Sequence, residues 1–308
     1  MRPTLFAVLM AGVIGTSSAE AATCRDPAGF DAWLGKIKQE AIAQGISTNA
    51  VDAGLSGVHY DQAVIRRDHG QGVFRQSFEQ FSQRMVPPRL GRAHALEKRY
   101  APIFARIEQE YGVSAPILLA IWGLETDFGA THGTYRMIQS IATLAFDCRR
   151  SDMFKAELFD SLRMVQKGVS PDARGAWAGE IGQTQFMPST YLKYAVGGRD
   201  LDHSPSDVLA STANFLRAHG WKRGAGWAPG EPNFAAIQEW NKSSVYSRTI
   251  AYFATRLAGG SDENYRNGAD DTPAPRRRER PAEMDTDQGI GPGPGPGSDA
   301  PANALDEQ

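Results

Sequence analysis

The sequence predicts a mainly α-helical domain, α+β at most. Three observations carry that prediction. Apolar residues recur three and four positions apart through most of the chain between Phe30 and Leu257, which places them on one face of a helix. Alternating apolar and polar runs, the mark of a half-buried strand, are scarce. Prolines and glycines mostly stand at the ends of the periodic stretches, where helices start and stop.

The elements follow in order. Phe30 to Ala43 is the first helix, with Phe30, Trp33, Leu34, Ile37 and Ile42 near helical register and Gly45 to stop it. Val58 to Phe74 reads as extended or looped. Phe74, Phe78 and Phe81 stand at i, i+4 and i+7 on a short helix that Pro87 and Pro88 terminate. Arg89 to Tyr111 is amphipathic, with Leu96, Ile103, Phe104 and Ile107 toward the core, a break at Pro102 and a stop at Gly112. Ser114 caps the next helix, and Pro116 is tolerated in its first turn. Gly129 to Gly133 is a loop. Helical spacing resumes over Met137 to Phe146 and Asp152 to Gln166. The Gly-rich segment Gly175 to Pro188 leads into Ser189 to Tyr194, and Ser206 to His219, Phe234 to Trp240 and Ser244 to Leu257 complete the fold.

The 308 residues, 41% of them hydrophobic, suffice for one large core. Residues 1–21 stand apart from it: Arg2, the apolar run Leu5 to Ile14 and Ala19-Glu20-Ala21 form a signal-peptide layout, which predicts an exported, periplasmic protein. No later run is long enough for a transmembrane anchor. Cys24 and Cys148 are the only cysteines, and in an oxidising compartment such a pair readily forms a disulfide; two buried thiols are the alternative. Residues 22–260 make the folded domain. Residues 261–308 hold Arg276 to Arg278 and Gly-Pro repeats with hardly an apolar cluster, the composition of a disordered tail. The formal charge of −2 hides an uneven distribution: the tail carries 5 basic and 11 acidic residues, the remainder 28 and 24. A mildly basic domain suits an anionic polymer, while nucleic acid as a partner would require clustered Lys and Arg.

One residue has chemistry that its surroundings make unusual. After ten uncharged residues from Ala115 to Leu124 comes Glu125, which at about 100° per residue shares a face with Leu118, Ile121 and Trp122. A carboxyl there is poorly solvated, so its pKa rises and it keeps a proton near neutral pH, as a general acid must. Asp127 lies about 200° around the helix from Glu125 and reads as a surface or capping charge. Taken alone, a Glu near a helix end is more often a solvated residue or an ion-pair partner.

A second stretch changes that balance. Gly179-Glu180-Ile181-Gly182-Gln183-Thr184-Gln185-Phe186-Met187-Pro188-Ser189 combines glycines, which allow close backbone approach, with the donor and acceptor of Gln185. Set beside the Glu125-Thr126-Asp127-Phe128-Gly129 motif upstream, it resembles the lytic murein transglycosylases, specifically the membrane-bound lytic transglycosylase B family, from about Cys24 to Ala258. The resemblance implies a lysozyme-like helical core with added lobes around a glycan-binding cleft, with peptidoglycan glycan strands as partner and no cofactor. It assigns Glu125 as the single catalytic acid. Arg149 and Arg150 match an arginine pair suited to substrate carboxylates. Gln185 and Phe186, with Trp240, Asn241 and Tyr246, match segments lining the groove, and Phe215 matches an aromatic that stacks on a sugar face. Two departures stand out. Ala176 replaces a serine common in the family, and the loop Val196 to Asp202 is too short for the family's calcium site, so no metal is expected.

The implied reaction is non-hydrolytic cleavage of the MurNAc-GlcNAc β-1,4 bond to leave a 1,6-anhydro end. The alternatives are a hydrolytic muramidase, for which Asp127 or Glu180 would be the second carboxylate, and a peptidoglycan-binding protein without activity.

Overall fold

The computed structural model describes residues 26–70, 76–261 and 265. The signal-peptide residues, Cys24, Phe74 and nearly all of the tail lie outside them. A 3-10 turn, Pro27–Gly29, leads into α1, Phe30–Ala43. There follow α2, Thr48–Leu55; α3, Gln62–His69; α4, Phe78–Met85; α5, Pro87–Arg99; α6, Ala101–Tyr111; and α7, Ala115–Thr126. A two-residue strand β1, Tyr135–Arg136, precedes α8, Met137–Phe146, and α9, Ser151–Gln166. Strand β2, Arg174–Gly175, pairs antiparallel with β1 through Tyr135 opposite Gly175 and Arg136 opposite Arg174. The last helices are α10, Pro188–Tyr194; α11, Pro205–Ala218; α12, Phe234–Trp240; and α13, Ser244–Leu257. The mainly α prediction therefore holds. No helix among the described residues is long and apolar enough to cross a membrane.

The helices form two packed groups. In one, α8 and α9 lie against each other with α2 and α10 on α9 and with α1 and α3 on α8. In the other, α7 is surrounded by α5, α6, α11 and α13, and α4 closes on α13. Helix α7 is apolar on every side, so it can be stable only where neighbours cover it all round; every residue from Ile117 to Thr126 is buried. Its central glycine permits that packing, because a β-carbon at Gly123 would stand 2.8 Å from the Phe128 ring and 3.0 Å from the Phe253 ring.

Three expectations are corrected. The stretch read as extended or looped, Val58 to Phe74, contains α3, whose start is fixed by Asp61: its Oδ1 accepts from Ala63 N at 2.8 Å and Val64 N at 3.3 Å. Pro87 and Pro88 end α4 but also open α5, since a helix's first turn has no need of their missing N–H groups. Ser114 occupies the N-cap of α7 without capping it; its hydroxyl is buried and unbonded. Helix α2 is an element that apolar spacing does not announce. Its Ser47 cap, bonded from Ala50 N at 3.3 Å, was the available signal, and Gly54 lets it close on Leu162 of α9.

Candidate active site

The end of α7 is set by backbone chirality. Asp127 and Phe128 adopt left-handed angles (φ 51° and 57°) and Gly129 follows at 81°, so the chain turns away immediately after Thr126. Asp127 then pairs with Arg89 and Arg92, each at 3.4 Å, with 39% of its side chain exposed. It is the surface charge that helix geometry predicts. Arg89 also donates from Nε to the Gly123 carbonyl at 2.9 Å and from Nη1 to the Met85 carbonyl at 2.8 Å, which ties α5 and α4 to α7.

Glu125 is buried as expected, 6% exposed. Its Oε1 accepts a hydrogen bond from the Trp240 indole Nε1 at 3.0 Å. The Tyr246 hydroxyl also faces it; that oxygen is buried and makes no hydrogen bond of good geometry. Burial raises the Glu125 carboxyl from its ordinary 4.5 to about 7, eased by the Trp240 N–H and the Tyr246 hydroxyl and reinforced by the Glu180 carboxyl. Tyr246 is driven well above its usual value, first by burial and then by Glu125, so it stays a neutral donor.

The Gly-rich segment is a rigid wall beside α7. Ile181 bridges Gly175 on one side and Phe186 on the other, and Ala176 N donates to Glu180 O at 2.8 Å. Gly175 is required there, because a β-carbon would collide with the Glu180 carbonyl. The wall is fastened to α7 by Trp122 Nε1 donating to Gln183 Oε1 at 2.9 Å and Thr126 Oγ1 donating to Gln183 O at 2.5 Å. Gln183 Nε2 in turn holds the Asp202 carbonyl at 2.6 Å. Sequence reasoning did not single out Gln183, although its place inside the second motif was a usable signal.

The remaining expected residues fall into three groups. Phe186, Phe215 and Trp240 are 0%, 4% and 0% exposed, so none offers a face to a sugar. They form a brace instead: Phe186 lies 5.7 Å and Phe215 5.1 Å from the Trp240 ring, and Trp240 holds Glu125. Stacking by Phe215 is corrected to support. Gln185, buried and left-handed (φ 56°), spends its Nε2 on the Gly182 carbonyl at 2.8 Å, a role in shaping the loop. Asn241 Oδ1 accepts from Ser243 N at 2.9 Å, while its Nδ2, like Tyr246 Oη, is buried without a partner. Buried polar atoms are nearly always bonded, so both are unusual.

Arg149 and Arg150 converge on Asp68, a residue the sequence gave no reason to notice. Arg149 Nε donates to Asp68 Oδ2 at 2.7 Å, and Nη2 of each arginine bonds Asp68 Oδ1. Burial alone would raise the Asp68 carboxyl; the two guanidinium groups overcome it and hold the value below normal. His69 and Asp147 are near, His69 Nε2 lying 3.3 Å from Asp147 Oδ2. With two arginines already on Asp68, this acid–imidazole cluster is neutralised from within the chain. The outer faces of Arg149 and Arg150 stay accessible, their side chains 45% and 33% exposed. Ala176 is buried and brings no hydroxyl to the site.

The fold is thus a helical one in which α7 ends at a buried, near-neutral carboxyl braced by aromatic rings. The chain belongs to the Transglycosylase SLT domain family, which matches residues 29–231. Membrane-bound lytic murein transglycosylase B of Escherichia coli (strain K12) is 37% identical over 149 residues, which are 44% of this chain and 41% of that protein. The chain thus matches less than half of that relative's length. Among solved structures, SltB3 from Pseudomonas aeruginosa in complex with NAG-NAM-pentapeptide is 29% identical with a TM-score of 0.71, over 75% of this chain and 80% of the other. The same protein in complex with NAG-anhNAM-pentapeptide aligns with 30% identity and the same TM-score of 0.71. Trp240 and Tyr246, which face Glu125, lie beyond the matched residues 29–231, as does Asn241.

Proposed function

We propose that this chain is a peptidoglycan lytic transglycosylase that cleaves the MurNAc-GlcNAc β-1,4 bond and leaves a 1,6-anhydro-MurNAc end. The observation that carries this reading is Glu125: buried, with a pKa of about 7, and held by one indole N–H. At neutral pH a large fraction of Glu125 is protonated and can give its proton to the bridging glycosidic oxygen as positive charge develops at the anomeric carbon. The resulting carboxylate then takes the proton of the muramyl C6 hydroxyl, whose oxygen closes on that carbon. The glycosidic C–O bond breaks, a new C–O bond forms within one sugar, and Glu125 ends as it began. An attacker already attached to the substrate needs no second carboxylate to activate water.

Arg149 and Arg150 present cations for the lactyl or stem-peptide carboxylates, and Asn241 Nδ2 and Tyr246 Oη present donors for the sugar's acetamido or hydroxyl oxygens. The signal-peptide pattern and the resemblance support a periplasmic location. There Cys24 and Cys148 form a disulfide, a reading supported by the absence of any free cysteine among the described residues.

The test is a digest of purified peptidoglycan analysed by mass spectrometry. Products lighter by one water than their reducing counterparts are expected. Reducing ends would make the enzyme a hydrolase, and no cleavage would make it a binding protein.

A further inference from the structure

Glu180 is a buried carboxyl that the reaction as written leaves unused. Its side chain is 4% exposed, and Oε2 is buried with no hydrogen-bond partner. A carboxylate oxygen in that condition is costly unless a nearby charge or proton compensates it. Its backbone is not free to carry the side chain elsewhere. The Glu180 carbonyl accepts from Ala176 N at 2.8 Å, Gly175 has no room for a β-carbon beside it, and the neighbouring Ile181 bridges both Gly175 and Phe186. Phe186 packs on Trp240, and Trp240 bonds Glu125, so Glu180 is held in one continuous structure with the acid.

We propose that Glu180 is a positioning residue for the chemistry at Glu125: the two buried carboxyls carry one proton between them at neutral pH, and Glu180 takes the negative charge so that Glu125 keeps the proton. The proposal rests on the reading of Glu125 as the acid.

The charges around the two groups are arranged unequally. Glu180 faces the Arg150 guanidinium, Glu157 of α9 and Glu125 of α7. Glu157 is itself engaged in bonding Ser189 through N at 2.9 Å and Oγ at 2.6 Å. Glu125 faces Glu180, the Trp240 indole and the Tyr246 hydroxyl. The Arg89 guanidinium faces Tyr246. Burial lifts both carboxyls to about 7, and among the described residues the Arg150 guanidinium favours charge on Glu180. Negative charge therefore settles on Glu180 and the proton on Glu125. The arrangement serves both half-reactions. Before cleavage, repulsion from Glu180 keeps Glu125 protonated; after Glu125 has given its proton to the leaving oxygen, the same repulsion makes it a better acceptor for the C6 hydroxyl proton. Glu180 exchanges no proton with substrate in either step.

The group that ionises second feels the charge of the first, so the coupling is read at Glu125. Carboxyl-13C NMR of the full chain labelled at glutamate, titrated for wild type and for Glu180→Gln, is expected to show the Glu125 midpoint falling by about half a pH unit or more in the variant. The resonance is identified by its loss in Glu125→Gln. In the kinetic arm, Glu180→Gln is expected to move the alkaline limb of kcat for peptidoglycan cleavage to lower pH by a similar amount, with the anhydro product retained. An unmoved Glu125 midpoint overturns the proposal, as does a uniform loss of activity with the limb in place, the result expected if Glu180 only packs the loop. If Glu180→Gln does not fold, the wild-type titration decides, with Glu180 assigned by its coupling to residue 180 backbone resonances: Glu180 must ionise at lower pH than Glu125, and the reverse order overturns the proposal. Reducing ends in the wild-type digest would instead overturn the transglycosylase reading and leave the titration result standing.

Discussion

Residue 125 sets two opposing demands, one on chemistry and one on stability. Folding raises its pKa from 4.5 to about 7, so the folded state binds the proton more tightly than the unfolded chain does. The stabilising proton is fully present in both states below pH 4.5, and stability falls as pH rises from there through 7. Glu125→Gln removes that dependence. At 1.4 kcal/mol per unit, the variant is expected to exceed wild type by on the order of 1–3 kcal/mol at pH 8 and by little at pH 4.5, which thermal melts at the two pH values will show. The same variant is expected to lose at least about a thousandfold in kcat in the peptidoglycan digest. Trp240→Phe tests the brace. It removes the only N–H donated to the carboxyl, so the charged form loses support, the pKa climbs further, and the alkaline limb of kcat moves to higher pH. The pH–rate profile checks the sign, and a downward shift would contradict the role given to the indole. Glu125 itself was legible in the sequence because an acid following ten uncharged residues on a helix has a known orientation. Asp68 was not, since its partners lie some eighty positions away, at Arg149 and Arg150, and nothing local to α3 announces them.

At the scale of elements, most helices could be read because their own apolar spacing specifies them. The bounds of α1, α8, α12 and α13 agree with the sequence reading to the residue. Helices α2 and α3 escaped it because each buries few large apolar side chains, Val51 in one and Val64 with Ile65 in the other, too few for a periodic signal, and is stabilised by packing on α9 and α8. The Gly175 to Met187 wall was recognised from its glycines, though its geometry depends on bridges and bonds to α7 that spacing does not encode. Two substitutions separate these levels. Gly123→Ala inserts a methyl group where the Phe128 and Phe253 rings stand 2.8 and 3.0 Å from it, and is expected to destabilise by about 1–3 kcal/mol in chemical denaturation while leaving the pH profile in place. Gly175→Ala drives a methyl group into the Glu180 backbone. It is expected to lower activity well beyond any loss of stability, because the wall that positions Phe186 and Trp240 must shift; equal effects on both would place the wall outside the catalytic apparatus.

For the whole molecule, the charged groups predict an acid-side optimum. Asp68 is held ionised by two arginines, so its contribution is present above its unfolded value of 3.8 and disappears as pH falls through its lower folded value. Glu125 and Glu180 act in the opposite sense between 4.5 and about 7. Stability is therefore expected to peak near pH 4.5 and to decline on either side, as melting temperatures from pH 3 to 8 will test; a peak above pH 7 would mean that the two glutamates are not buried as described. The hydrogen bond from Trp240 to Glu125 spans 115 positions of chain, and α7 receives its cover from α13 near the end of the fold. A partly synthesised or truncated polypeptide accordingly holds its proton donor without the lever that aims it. On the proposed reading, competence to cut a glycan strand arrives only when α13 has docked on α7.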